Sequence, residues 1–158
     1  LAKAGAFVYV TGRTTSAPST NPWTGDIDST IREIELEGGE GSAIRCDHTI
    51  DADTESVVQQ IAEEQGKLDI LVNNVWGGNE LEIVNKPLWE LPPAHWDNMF
   101  TSGVRAQLMT NYYANPLMRN NQNGVRFVNR AKRRWNSCNP FISRVDAHRA
   151  RIEKSEYR

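Results

Sequence analysis

Residues 68–74 read LDILVNN and run directly into VWGG. A leading Asp, a short apolar run, paired amides and a glycine turn constrain the fold more than any other stretch. The run Ile70-Leu71-Val72 is continuous, whereas a strand with one wet face alternates. It therefore reads as a strand buried on both faces of a parallel sheet. The amides Asn73 and Asn74 follow at its carboxyl end, where open α/β sheets hold ligands.

The rest of the chain supports that reading. Residues 1–4 look like a last helical turn stopped by Gly5. Residues 6–11 (AFVYVT) are rich in β-formers and predict a strand, ended by Gly12-Arg13. Residues 14–25 form a polar loop with Pro18 and Pro22. Ile27, Ile31 and Ile34 share a helical face over 27–37, with Asp26 or Asp28 as cap. Residues 42–46 predict a short strand ending at Asp47. Val57, Val58 and Ile61 predict a helix over 54–65, stopped by Gly66. Strands alternating with helices argue for βαβ units and a parallel sheet. A long helix is expected over 94–118, with Trp96, Met99, Phe100, Val104 and Leu108 on its apolar face. Residues 125–129 could add one more strand.

Composition excludes several classes. The chain has 158 residues, 39% of them hydrophobic and 24% charged, which suits one soluble domain with a core. No apolar run approaches the ~20 residues that span a membrane, and no signal-peptide pattern precedes the first strand. Cys46 and Cys138 form no CxxC, and His48, His95 and His148 lack zinc spacing, so no metal site is expected. Two reduced thiols point to a cytoplasmic protein. The net charge of −2 hides a split. Residues 1–118 carry 7 basic and 17 acidic side chains, whereas 119–158 carry 11 and 3.

Taken together, AGAFVYVTGR, RCDHT, KLDILVNN and the WDNMF helix ending in NPLM resemble the short-chain dehydrogenase/reductase family. The VWGG turn and Gly103-Val104-Arg105 resemble its branch named dehydrogenase/reductase member one. The resemblance covers residues 1–118, with a weaker extension to 129. It implies a partial doubly wound, Rossmann-like sheet in three α/β/α layers, and hydride transfer between NAD(P) and a carbonyl or alcohol carbon of a small molecule. It also implies pairing of chains through the helix 94–118.

In such proteins the residue after the second strand selects the cofactor. Arg13 stands there, and a guanidinium can pair with an adenosine 2′-phosphate, so the resemblance implies NADP. The local alternative is a solvated arginine at a strand end. Asp47 matches the acid that meets the adenine amino group; locally it could equally cap the next turn. His48 beside it is expected to offer backbone only. Asn74 matches an amide beside the adenosine ribose, while Asn73 is expected to tie neighbouring strands together. Thr14, Val75 and Gly77 complete the implied cofactor positions. Val75 and Trp76 depart from the small residues usual at that turn.

Other family parts are missing. No GxxxGxG or GxGxxG occurs, and such glycines cradle a pyrophosphate. By the resemblance, that loop and the family's first strand lie upstream of Leu1. No Tyr-x-x-x-Lys occurs either, so no catalytic residue is assigned. The family's helix Asn, which positions a water, aligns with Gly103. Without the first strand, residues 7–11 and 70–73 have no shared neighbour. The sheet must close across the gap or expose ladder groups. The expectation is an aggregation-prone chain, inactive alone, with weak or no NADP binding. Residues 119–158 are expected to be a non-native tail from a frame change or gene-model error. The competing readings are a non-catalytic dinucleotide-fold module and a nucleic-acid binder using Arg130, Lys132, Arg133, Arg134 and Trp135.

Overall fold

A computed structural model describes residues 1–15, 25–76, 81, 86–119 and the backbone of 126–129. After a 3₁₀ turn at Ala2–Ala4, strand β1 (Phe7–Gly12) leads to helix α1 (Ile27–Leu36) and strand β2 (Glu40–Arg45). Helix α2 (Asp51–Gln65) and strand β3 (Ile70–Asn73) follow. Helix α3 (Pro93–Phe100), a π-helical turn (Thr101–Arg105) and helix α4 (Ala106–Arg119) form one continuous run. Strand β4 (Arg126–Asn129) lies beyond it. No helix among the described residues is long and apolar enough to cross a membrane.

Local chemistry sets the boundaries. Of the two candidate caps for α1, Asp26 serves. Its Oδ1 accepts from the Ser29 N–H at 2.7 Å, and Ser29 Oγ returns to the Asp26 N–H at 3.4 Å. This reciprocal pair satisfies two donors that a helix start leaves open. Helix α2 stops at Gly66, whose φ of 68° is left-handed and costs a glycine little.

Sidedness follows the strand period of two. Gly41 and Gly12 face α1: a Cβ there would press on Ile31 and Ile27 respectively. Tyr9 and Ile44 face the other way, packed on a cluster of Cys46, Val57, Ile61 and Leu117. Thus α1 covers one face of the β1–β2 ribbon, while α2 and α4 cover the other.

The four strands do not form one sheet. β1 pairs with β2 in parallel, from Phe7 opposite Glu40 to Gly12 opposite Arg45. β3 pairs with β4 in parallel, from Ile70 opposite Arg126 to Asn73 opposite Asn129. The two ribbons share no ladder; the gap stays open. Val72, expected to be buried, is 45% exposed, because β3 has a strand neighbour on one side and a cleft on the other.

The long helix also differs from expectation. Its buried stripe is Ala106, Thr110, Ala114, Leu117 and Met118. Trp96, Met99, Phe100, Val104 and Leu108 face outward instead. The small residues Ala106, Thr110 and Ala114 let the first turns of α4 approach its neighbours closely, and Leu117 and Met118 fill the core at its end.

Candidate functional site: a cleft between two ribbons

The carboxyl ends of β1 and β3 face each other across a cleft of about 400 Å³. One wall is Tyr9 to Arg13 with Cys46 to Thr49; the other is Leu71 to Trp76, closed by Ser102 and Thr110. Each wall is a strand end followed by a turn. That is the position at which an open α/β sheet presents backbone and side chains to a ligand.

Arg13 and Asp47 meet at the rim, Nη1 to Oδ2 at 3.9 Å. Asp47 is held firmly. Its Oδ1 accepts from the Thr49 N–H at 2.9 Å and the Thr49 hydroxyl at 2.7 Å. Its own N–H donates to Asp53 Oδ2 at 3.0 Å. Burial pushes this carboxyl up, but the two Thr49 bonds and the positive charge of Arg13 carry it below the usual carboxylate range. The turn-capping role and the rim position coexist, one on each carboxylate oxygen.

His48 reaches across the base of the cleft. Its Nε2 lies 2.8 Å from Thr11 Oγ1 and its Nδ1 lies 3.2 Å from Thr110 Oγ1. Both ring nitrogens are thus engaged by threonine hydroxyls. Burial lowers the imidazole's proton affinity against the pull of Asp47 and Asp53. Cys46 lies beneath, 1% exposed, and burial pushes its thiol up to about 11, which makes it inert as a nucleophile.

The other expected residues divide. Asn74 is exposed and lines the second wall, as does Val75. The Val75 carbonyl accepts from Gln107 Nε2 at 3.3 Å. Thr14 is not among the lining residues; its carbonyl accepts from the Ile27 N–H at 3.0 Å and so anchors the start of α1. Gly77 lies outside the described residues, as does the basic cluster at 130–135. Asn73 stands opposite Asn129 in the β3–β4 ladder, and its side chain also ties to Asn111 of α4, Nδ2 to Oδ1 at 2.8 Å.

Thr11, Thr110, Asn111 and Ser102 were not expected at the site. Their signal is tertiary: each is an ordinary polar residue until the helix and the strands come together. Gly103 sits in the π-helical turn. A Cβ on it would lie 3.8 Å from the indole of Trp76, so the ring rests against the space a side chain would take. Single π-turns inside α-helices are frequent at functional sites.

The cleft at the strand ends defines a dinucleotide-fold protein, and comparison with known proteins gives the family. A family model described as enoyl-(acyl carrier protein) reductase matches residues 1–140. Mouse dehydrogenase/reductase SDR family member 1 is 34% identical over 121 residues, 75% of this chain and 36% of its own length. The 7alpha-hydroxysteroid dehydrogenase of Escherichia coli K12 is 32% identical over 95 residues, covering 60% of this chain and 35% of its own. A crystal structure of hydroxysteroid dehydrogenase from Escherichia coli superposes with a TM-score of 0.65 at 27% identity, covering 81% of this chain and 48% of that one. The chain belongs to the short-chain dehydrogenase/reductase family of oxidoreductases. It spans about a third of the length of the curated relatives it matches.

Proposed function

We propose that this chain supplies the adenosine side of an NADP site in a cytoplasmic oxidoreductase. The parent activity moves a hydride between NADP and a carbonyl or alcohol carbon of a small molecule. One observation carries the reading: Arg13 and Asp47 converge at the rim of the cleft, 3.9 Å apart, with Asn74 on the opposite wall. A guanidinium favours a 2′-phosphate, a carboxylate accepts from an adenine amino group, and an amide serves ribose hydroxyls. That donor set fits the adenosine end. These groups serve the adenosine half of a dinucleotide alone, so the expected affinity is weak.

The test is calorimetric titration with adenosine 2′,5′-bisphosphate and with AMP. The reading expects heat of binding from the bisphosphate and much less from AMP. Equal affinity for both would remove the role of Arg13.

A second element of the reading is self-association through α3 and α4. Trp96 and Phe100 stack with ring centroids 5.1 Å apart, and with Val104 and Leu108 they form an outward apolar stripe. Contiguous patches of this kind mark interaction surfaces, and a second copy of the same helix offers a matching stripe.

A further inference from the structure

The two ribbons share no strand ladder, yet their inner ends face each other across one cleft. Side chains just before α2 and on α4 join them. A chain of side-chain hydrogen bonds runs from one wall to the other. It starts at Thr11 on β1, passes through His48 to Thr110 on α4, and resumes at the next residue, Asn111, to reach Asn73 on β3. Consecutive residues of an α-helix point about 100° apart. One turn of α4 can therefore serve both walls at once.

The Thr110 contacts favour one placement of the hydrogens along this chain. With the Thr110 hydroxyl donating to the Ala106 carbonyl at 2.8 Å, its oxygen accepts from His48. In that arrangement the imidazole carries its hydrogen on Nδ1. That leaves Nε2 as an acceptor, which the Thr11 hydroxyl satisfies as donor. Thr110 and Asn73 are 5% and 3% exposed, so water cannot readily replace these partners. The anchored residues also adjoin the proposed ligand contacts. His48 follows Asp47, Thr11 precedes Arg13 by two residues, and Asn73 precedes Asn74.

We propose that His48 is a positioning residue: with Thr110 and Asn111 it forms a clasp that fixes the distance between the β1 and β3 walls. Its consequence for ligands rests on the adenosine reading above; the clasp itself does not.

Hydrogen exchange, followed by mass spectrometry on dilute full chain, tests it. Thr110→Val keeps shape and removes the hydroxyl that receives the Nδ1 hydrogen. Exchange across residues 8–12 and 71–74 should quicken roughly tenfold, the effect of one buried polar group left without a partner. Residues 27–36 on α1 should be unchanged, and Thr110→Ser should restore both walls. Acceleration confined to α4, or no rescue by serine, overturns the proposal. If Thr110→Val loses protection everywhere, nitrogen-15 spectra of the wild-type imidazole decide. A neutral ring protonated on Nδ1 supports the clasp, and one protonated on Nε2 refutes it. Adenosine 2′,5′-bisphosphate should bind Thr110→Val more weakly by a similar factor. If the wild type binds no nucleotide while the exchange pattern holds, the adenosine reading fails and the clasp stands.

Discussion

The side-chain amide of Asn73 donates to the side-chain oxygen of Asn111 at 2.8 Å. The last residue of β3 is thus fastened to α4, with 3% of its surface exposed. Replacing Asn111 strands the buried Asn73 amide, and replacing Asn73 strands the half-buried Asn111. Asn73→Leu should cost about 1–3 kcal/mol of stability, since a buried group without a partner keeps its desolvation penalty. Asn111→Ala should cost a similar amount. The double variant should lose less than the sum, because the pair is one interaction. Denaturant melts of the four proteins provide the cycle; strict additivity would mean the contact contributes nothing.

Stability should fall in mildly acid solution through His48. Burial holds its folded pKa below the ordinary 6.5, against the opposing pull of Asp47 and Asp53. Below pH 6.5 the unfolded chain therefore binds a proton that the folded chain resists. The stabilisation is complete above 6.5 and is lost as pH falls through the lower, folded value. Asp47 is shifted in the same direction, but from a lower starting value. Its folded pKa lies below the usual carboxylate range, so its contribution disappears only below about pH 4. Melting temperatures between pH 7.5 and 5 should drop for the wild type and drop less for His48→Gln. Parallel curves would contradict the assignment.

Leu108 is 61% exposed on the outer side of α4. Placing a charge there, as in Leu108→Glu, should weaken self-association without unfolding the chain, because no core contact is lost. Sedimentation velocity across a concentration series reads the difference. A wild type that sediments as a monomer at every concentration would end the self-association reading.

Cys46 should resist thiol reagents in the native state. It is buried, and its thiol is raised to about 11, so thiolate is scarce at neutral pH. Labelling in the native state should leave Cys46 unmodified by peptide mapping, while labelling in denaturant should reach it.

Much of this architecture was legible from residues alone. The alternation of β-former runs with helical periods placed β1, α1, β2, α2 and β3 within a few residues, because caps such as Asp26 and stops such as Gly66 act locally. The family's strand order, carried over by resemblance, implied that residues 7–11 and 70–73 would lack a shared neighbour, and the structure keeps them apart as two ribbons. The orientation of the long helix was not legible. Trp96, Phe100 and Leu108 form an apolar stripe that periodicity assigns to a core, whereas the packed side of α4 uses Ala106, Thr110 and Ala114. Periodicity finds a stripe but cannot say whether the chain's own core or the surface receives it. Nor could sequence reveal the contacts of His48 with Thr11 and Thr110. These join residues 37 and 62 positions apart, and such polar pairs leave no local pattern.

The central claim is that Arg13 and Asp47 mark a pocket for 2′-phosphorylated adenosine. Titration of the full chain with NADPH and with NADH, following nucleotide fluorescence, tests it most directly. The account predicts weak, saturable binding that prefers NADPH and loses that preference in Arg13→Asp. One charge-assisted pair corresponds to roughly ten- to a hundredfold in affinity. Equal binding of the two nucleotides, or an unchanged preference in Arg13→Asp, would contradict it.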